Sequence, residues 1–336
     1  MRKEIRFLLV ALLPLAGRGQ SWTRVTDVPK TKVYCLERHN NTLYAGTSDH
    51  LYIGADNGAN WTASSFPGSV YVLSATEYHH TIYIGTGYAG VLTSSDGGAH
   101  WTPLNTGAPG DPVSCFAVWK DHLYMGTLGD GFYVLDEAAG RWNPFNNGFY
   151  TNVDGNIWSL VATDTTIIAT AGVNGFFYRY NPGPAAWENT DYLSMAAPGL
   201  GVQSLASDSS GSLYAAVPNS FLLFRSDDRG SHWNFDTTGL HIPSFAIENS
   251  IVLTAGSKKN YFANNFLSTG GNQVRVYERD NNAVPGTPWT ATDTLSNAFF
   301  YAMVEGGSRL YSAQDSGLYY KGMGTVASTT PRRARF

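Results

Sequence analysis

Four aspartates, Asp49, Asp130, Asp154 and Asp315, flank short apolar phrases that recur along the chain. Two carboxyls held roughly 5–10 Å apart can hydrolyse a glycoside, one as acid and the other as base or nucleophile. These four are the catalytic candidates, although no spacing brings any two of them together. A second set suits binding rather than bond cleavage. Tyr34, Tyr71, Trp158, Gln203, Phe245 and Tyr301 each take the same place in one of the phrases, and Tyr88 and Lys258 lie in neighbouring segments. Ring faces stack on sugars or other polar ligands while amides and charges orient them. Any single ring can equally serve as packing, so the case for a site rests on the set.

Other chemistries find no support. The eight histidines are scattered, and His79-His80 reads as a solvated turn. No metal constellation, glycine-rich phosphate loop or nucleophile elbow is present, so neither a metal nor a cofactor is expected. The two cysteines, Cys35 and Cys115, occupy equivalent places in non-adjacent repeats. They are too far apart to bridge and read as small buried hydrophobes.

The elements that position these residues follow from the repeats. One phrase recurs: Leu43-Tyr-Ala-Gly-Thr47, Ile82-Tyr-Ile-Gly-Thr86 and Leu123-Tyr-Met-Gly-Thr127, with weaker copies beginning at Ile167, Leu213, Val252 and Leu310. A short apolar run precedes each copy, beginning at Val33, Val70, Val113, Ile157, Val202, Ser244 and Phe300. A third run and then a tryptophan follow the first six: Trp61, Trp101, Trp142, Trp187, Trp233 and Trp289. Four short strands at a period of roughly 40–56 residues are the signature of a β-propeller blade. The seventh copy lacks its tryptophan, and Ser21-Trp22-Thr23 supplies one from the other end of the chain. The expected fold is therefore all-β: a seven-bladed propeller whose N-terminal strand closes the last blade and removes free sheet edges.

Composition agrees. Charged residues are 14% of the chain, against roughly 25% in an average protein, while aromatics are also 14% and glycines number 36. Such a chain favours many short strands and tight turns over helical bundles. The net charge is −4, and most of the basic excess lies at the two ends, so the body is more acidic still. An acidic body has no footprint for nucleic acid, whose binding rests on phosphate neutralisation. Residues 1–19 read as a secretory signal: Arg2-Lys3, an apolar run from Phe7 to Ala16, then Gly17 and Gly19. That run is too short for a spanning helix, which needs about 20 residues. Residues 20–323 form the propeller, and 324–336 a basic disordered tail.

Before three of the tryptophans the turn has its own pattern. Ser94-Ser-Asp96-Gly-Gly98-Ala-His-Trp101 and Ser226-Asp-Asp228-Arg-Gly230-Ser-His-Trp233 both read S-x-D-x-G-x-x-W, and the segment from Gly54 through Asp56 to Trp61 departs only at its first position. The motif resembles the Asp-box, or bacterial neuraminidase repeat, of sialidases, xyloglucan-active endoglucanases, sorting-receptor domains and photosystem II assembly-factor-like propellers. The resemblance implies that Asp56, Asp96 and Asp228, with Trp61, Trp101 and Trp233, build outer hairpins on the face away from the ligand. It also implies that ligands enter at the mouth formed by the inner-strand starts and the loops between second and third strands. On that scheme, residues 257–272 are an insertion of blade six that carries Lys258 and Lys259 over the mouth.

Sialidases clamp a carboxylate with three arginines, and none of the arginines here falls on the mouth face. The reading favoured is a secreted, periplasmic or cell-surface propeller, monomeric and non-catalytic, that binds a glycan or a protein partner at an aromatic mouth. Glycoside hydrolysis by paired carboxylates on the same face is the alternative.

Overall fold

The second strand of each repeat reads as an unbroken apolar run because both of its faces are covered. Leu43, Tyr44 and Ala45 are all buried. Such a run fits a strand enclosed on both sides. The glycine that follows has a packing reason. A Cβ on Gly46 would lie 2.7 Å from Val72 of the next inner strand, and one on Gly85 would lie 2.6 Å from Val113. The phrase thus ends in glycine where the following blade presses on it.

The computed structural model describes residues 21–64, 66, 70–149, 155–172, 176–190, 204–208, 210–217, 222–240, 251–255, 258–268 and 271–323. These form seven four-stranded sheets, each antiparallel and each, save the last, continuous in sequence. They are the blades of a seven-bladed β-propeller. Blade one runs outward through Cys35–His39, Thr42–Gly46, Leu51–Gly54 and Asn60–Ala63. The inner strands of the next six blades are Val72–Tyr78, Val113–Trp119, Ile157–Ala162, Ser204–Ser207, Ile251–Ala255 and Phe300–Gly306.

The ring closes as the sequence predicts. Thr23 and Arg24 pair with Tyr320 and Tyr319, forming the outer strand of blade seven. Trp22 packs edge-on against Phe300. Between blades one and seven, Tyr311 donates from its hydroxyl to the carbonyls of Asn57 and Gly58, 3.0 Å to each.

Five of the outer tryptophans donate from Nε1, in one of two ways. Trp61 and Trp101 donate from Nε1 to Gly58 and Gly98 of their own turns. Trp142, Trp187 and Trp289 donate instead to Leu104, Phe145 and Asp236 of the preceding blade. The turns around Asp96 and Asp228 share one geometry. Ser94 bonds Asp96 and accepts from the Gly98 amide, both at 2.8 Å, and Ser226 does the same for Asp228 and Gly230. Both carboxyls titrate below the usual carboxylate range. For Asp96 the main cause is the His100 amide, reinforced by the His100 ring and Ser94. For Asp228, burial opposes the shift, but bonds from His232 and Ser226 outweigh it.

Three sequence expectations need correction. Asp56 does not build such a turn. Gly54 offers no hydroxyl in place of serine, and Asp56 and Asn57 adopt left-handed φ of 52° and 58° instead. In blade two the inner strand begins two residues later than the phrase suggests: Ser74, not Val72, pairs with the glycine of the second strand, Gly85. Leu73 therefore takes the place of Tyr34, and Tyr71 precedes the strand. In blade six, Ile251–Ala255 is the inner strand, and much of the supposed insertion is the ten-residue second strand, Lys259–Ser268. Its asparagines disguise it as a loop. Asn260 and Asn265 are buried because their amides bond Asp208 and both backbone groups of Phe300. Lys258 consequently lies at the first hairpin, beside the turn that joins the third and fourth strands, and not over the mouth.

Candidate functional site

The start of several inner strands carries a β-bulge, and the bulge selects which side chain is re-aimed. In blades two, three, four and seven the ladder skips one residue at the same level: Leu73, Ser114, Trp158 and Tyr301. These four, with Tyr34 of blade one, line a central cavity of about 620 Å³. Ser114 is held by hydrogen bonds to the carbonyls of Ile157 and Gly126. Trp158 donates to the Gly172 carbonyl at 3.0 Å.

Aromatic rings continue from this level onto the surface. Tyr34 and Tyr71 meet edge to face with centroids 5.5 Å apart, and Tyr71 and Tyr88 meet at 5.8 Å. Tyr88 is 81% exposed and Tyr71 39%. On the other side of Tyr34, the Lys32 ammonium sits 4.7 Å from its ring and 4.3 Å from that of Tyr301. Tyr301, Lys32, Tyr34, Tyr71 and Tyr88 thus form one unbroken row. Burial raises the Tyr34 hydroxyl pKa; Lys32 opposes this and the neighbouring tyrosines add to it. Burial and then Asp315 raise that of Tyr301. Sequence spacing found all of this row except Lys32, whose contribution needs the ring closure that sets Tyr301 beside it.

Among the described residues, no contact brings Asp49, Asp130 and Asp315 together. Asp49, Asp130 and Asp315 lie in the loops between second and third strands of blades one, three and seven, while Asp154 lies outside the described residues. Asp49 is engaged with Thr47 and His50; bonds from these two lower its pKa against the effect of burial. Asp130 has a different neighbour that the sequence did not suggest. Asp111, just before the inner strand of blade three, is held above the usual carboxylate range by burial and by the charge and hydrogen bond of Asp130. Gly129 makes room for it: a Cβ there would lie 2.5 Å from an Asp111 carboxylate oxygen. Gln203 and Phe245 also lie outside the described residues. No group of three or more His, Cys, Asp or Glu among the described residues could hold a metal ion. No helix among them is long and apolar enough to cross a membrane.

Deeper in the cavity the wall carries two carboxyls that sequence reasoning passed over, Glu37 and Glu305. Glu37 reaches water through the channel yet is hemmed in by the inner strands, and burial alone raises its pKa to about 7. Cys35 and Cys115, both free thiols, line the same space. Burial pushes the Cys115 thiol up to about 12, and that of Cys35 is raised for the same reason, with Glu37 adding to both. Neither is a nucleophile at neutral pH. The clue in the sequence was slight: Glu37 is charged where other inner strands carry Thr76, Ala117 or Val161.

A seven-bladed propeller with an aromatic mouth defines a fold class that serves many functions. Neither a protein-family model nor a curated protein matches this sequence. Solved structures do. The chain is similar to YCF48 bound to D1 peptide, with 15% identity over 93% of this chain and 97% of the other, at a TM-score of 0.67. It is similar to YCF48 from Cyanidioschyzon merolae, with 14% identity over 90% and 98% and a TM-score of 0.63. It also resembles the extracellular domain of a one-component system from B. thetaiotaomicron, at 17% identity and a TM-score of 0.65, covering 90% of this chain but 40% of that one. At these identities the likeness establishes the fold.

Proposed function

We propose that this propeller is a non-catalytic binding or scaffold protein that holds a segment of a partner protein at its channel mouth. The observation that carries the reading is the row Tyr301–Lys32–Tyr34–Tyr71–Tyr88, which runs from the cavity wall to a ring 81% exposed. An extended segment gains apolar contact from the rings while tyrosine hydroxyls and Lys32 meet its polar groups. The peptide bound to YCF48, a neighbour of the same fold, supports a peptide as occupant. The signal-like leader, and the extracellular placement of the B. thetaiotaomicron neighbour, support a site of action outside the cytoplasm.

Hydrolysis is less well served. Asp111 and Asp130 share a hydrogen bond, which holds them closer than the ~5–9.5 Å across which two carboxyls attack a glycosidic bond. The test is a peptide array and a glycan array probed with the protein and with a Tyr34→Ala/Tyr71→Ala/Tyr88→Ala variant. Peptide signals that fall at least tenfold in the variant support the reading. Glycan signals without peptide signals, or peptide signals indifferent to the three tyrosines, overturn it.

A further inference from the structure

Glu37 stands apart from the rest of the channel wall. Its level is set by the pairing of Cys35 with Gly46, matched by Ser74 with Gly85, Cys115 with Gly126, Ser159 with Thr170, Ser204 with Ala216 and Ala302 with Ala313. Two residues further on, Glu37 shares a ring with Thr76, Ala117, Val161, Ala206 and Val304. Five of these six side chains are apolar or a hydroxyl, and one is a carboxyl.

No group of the chain neutralises it among the described residues. The neighbouring Arg38 guanidinium is spent on the carbonyls of Asn40 and Glu305. Tyr44, its partner across the ladder, donates to Glu77 instead. Lys32 is held between two rings at the mouth, and the level of Tyr34 lies three residues from Glu37, about 10 Å at ~3.3 Å per strand residue. Cys35 and Cys115, the other titratable groups nearby, are protonated thiols. Glu305, on the inner strand of blade seven, also lines the cavity. Glu37 stays in contact with channel water, but protein walls surround it on every side and no cation offsets them, so its anion is disfavoured. The cavity beside it, about 620 Å³, is large enough for a slender chain.

We infer that the channel takes an ammonium group, with Glu37 as its counter-ion. The inference rests on the proposed binding of a protein segment at the mouth and names what that segment carries: a lysine side chain or a free amino terminus. The aliphatic stem of a lysine, or the first residues of a free chain end, would run past the tyrosines, and the charge would arrive where nothing else neutralises Glu37. Arginine is a poorer fit, since its planar fork asks for more acceptors than one carboxyl in this wall offers.

The test uses the full-length protein on a peptide array whose members occur in four forms: lysine or acetyl-lysine, each with a free or an acetylated amino terminus. Binding is read at pH 7.5 and at pH 5.5. The expected result is at least tenfold stronger binding of ammonium-bearing forms at pH 7.5, where Glu37 is mostly charged and both a lysine and a free amino terminus still carry a proton, and loss of that preference in Glu37→Gln. A preference that follows the lysine names the side chain as the source, and one that follows the free terminus names the chain end. Glu37→Gln is isosteric and removes no bond, so its melting temperature is expected to equal or exceed that of the parent. Peptide binding indifferent to acetylation, or unchanged in Glu37→Gln, overturns this inference and leaves the mouth reading intact. An array on which no peptide binds overturns both.

Discussion

Arg279 and Asp236 face each other in two parallel hydrogen bonds between blades six and five, with only 1% and 3% of their side chains exposed. The guanidinium also lies 4.3 Å from the ring of Trp289, whose Nε1 donates to the carbonyl of Asp236. Burial alone would lower the Arg279 pKa; the Asp236 carboxylate more than reverses that. A buried pair of this kind is costly to break from one side, because the survivor is left charged and dry. Asp236→Ala is therefore expected to lose ~3–5 kcal/mol of stability, and the apolar double variant Asp236→Leu/Arg279→Met much less. Urea titrations of the three proteins decide it. Equal losses in the single and double variants would mean that packing, not charge, holds this seam.

Closure gives a second expectation. Trp22 meets Phe300 at a centroid distance of 5.2 Å and lies 5.4 Å below the Lys321 ammonium. The strand that follows it has two ladder residues, Thr23 and Arg24, so the ring, more than the ladder, anchors the terminus. Trp22→Ala is expected to cost ~1–3 kcal/mol, below the range for a fully buried tryptophan because Trp22 is half-buried. Removal of residues 21–28 should lower the melting temperature far more, since it exposes a sheet edge and also takes away buried Val25 and Val28. An unchanged melting temperature in the truncated protein would refute the closure.

Where packing repeats, the residues announce it. The glycine ending each strong phrase is readable because a neighbouring blade leaves no room for a Cβ, and Trp22 because blade seven lacks a tryptophan of its own. Three features resisted reading for local reasons. Tyr71 looks like Tyr34 in sequence, but the blade-two strand is displaced by two residues, and a two-residue slip keeps the alternation of faces along the phrase unchanged. Blade six hides its second strand because Asn260, Asn264 and Asn265 suggest a loop until their buried partners are seen. Glu37 looks like an ordinary exposed strand residue. Only the closed ring shows that the water it touches is channel water.

Asp111 and Asp130 offer a test of like-charge contact. The Asp111 carboxyl is held above its ordinary value by burial first, then by Asp130. A raised carboxyl favours the fold while protonated, and that contribution disappears as pH rises through the folded-state value. Asp111→Asn should thus match the parent in acid and exceed it at neutral pH, by roughly 2 °C in melting temperature. Melting curves at pH 3 and pH 7.5 are sufficient. A variant less stable than the parent at pH 7.5 would show that Asp111 is bonded as an anion, against this reading.

Glu37 makes the same kind of prediction in a window nearer neutrality. Its ordinary value is 4.5 and its value in the folded protein is about 7. The fold therefore prefers the protonated form. The favourable contribution is complete below about 4.5 and is lost as pH rises through about 7. Glu37→Gln keeps the neutral form at every pH. The difference in stability between the variant and the parent should be near zero at pH 4 and grow to the variant's advantage by pH 8. Its size should be on the order of 1 kcal/mol, because channel water screens a carboxylate this accessible. Other carboxyls titrate in both proteins and cancel in the difference. Urea unfolding at half-unit steps from pH 4 to pH 8.5 measures it, and a difference that stays flat would mean that the channel solvates Glu37 as well as bulk water does.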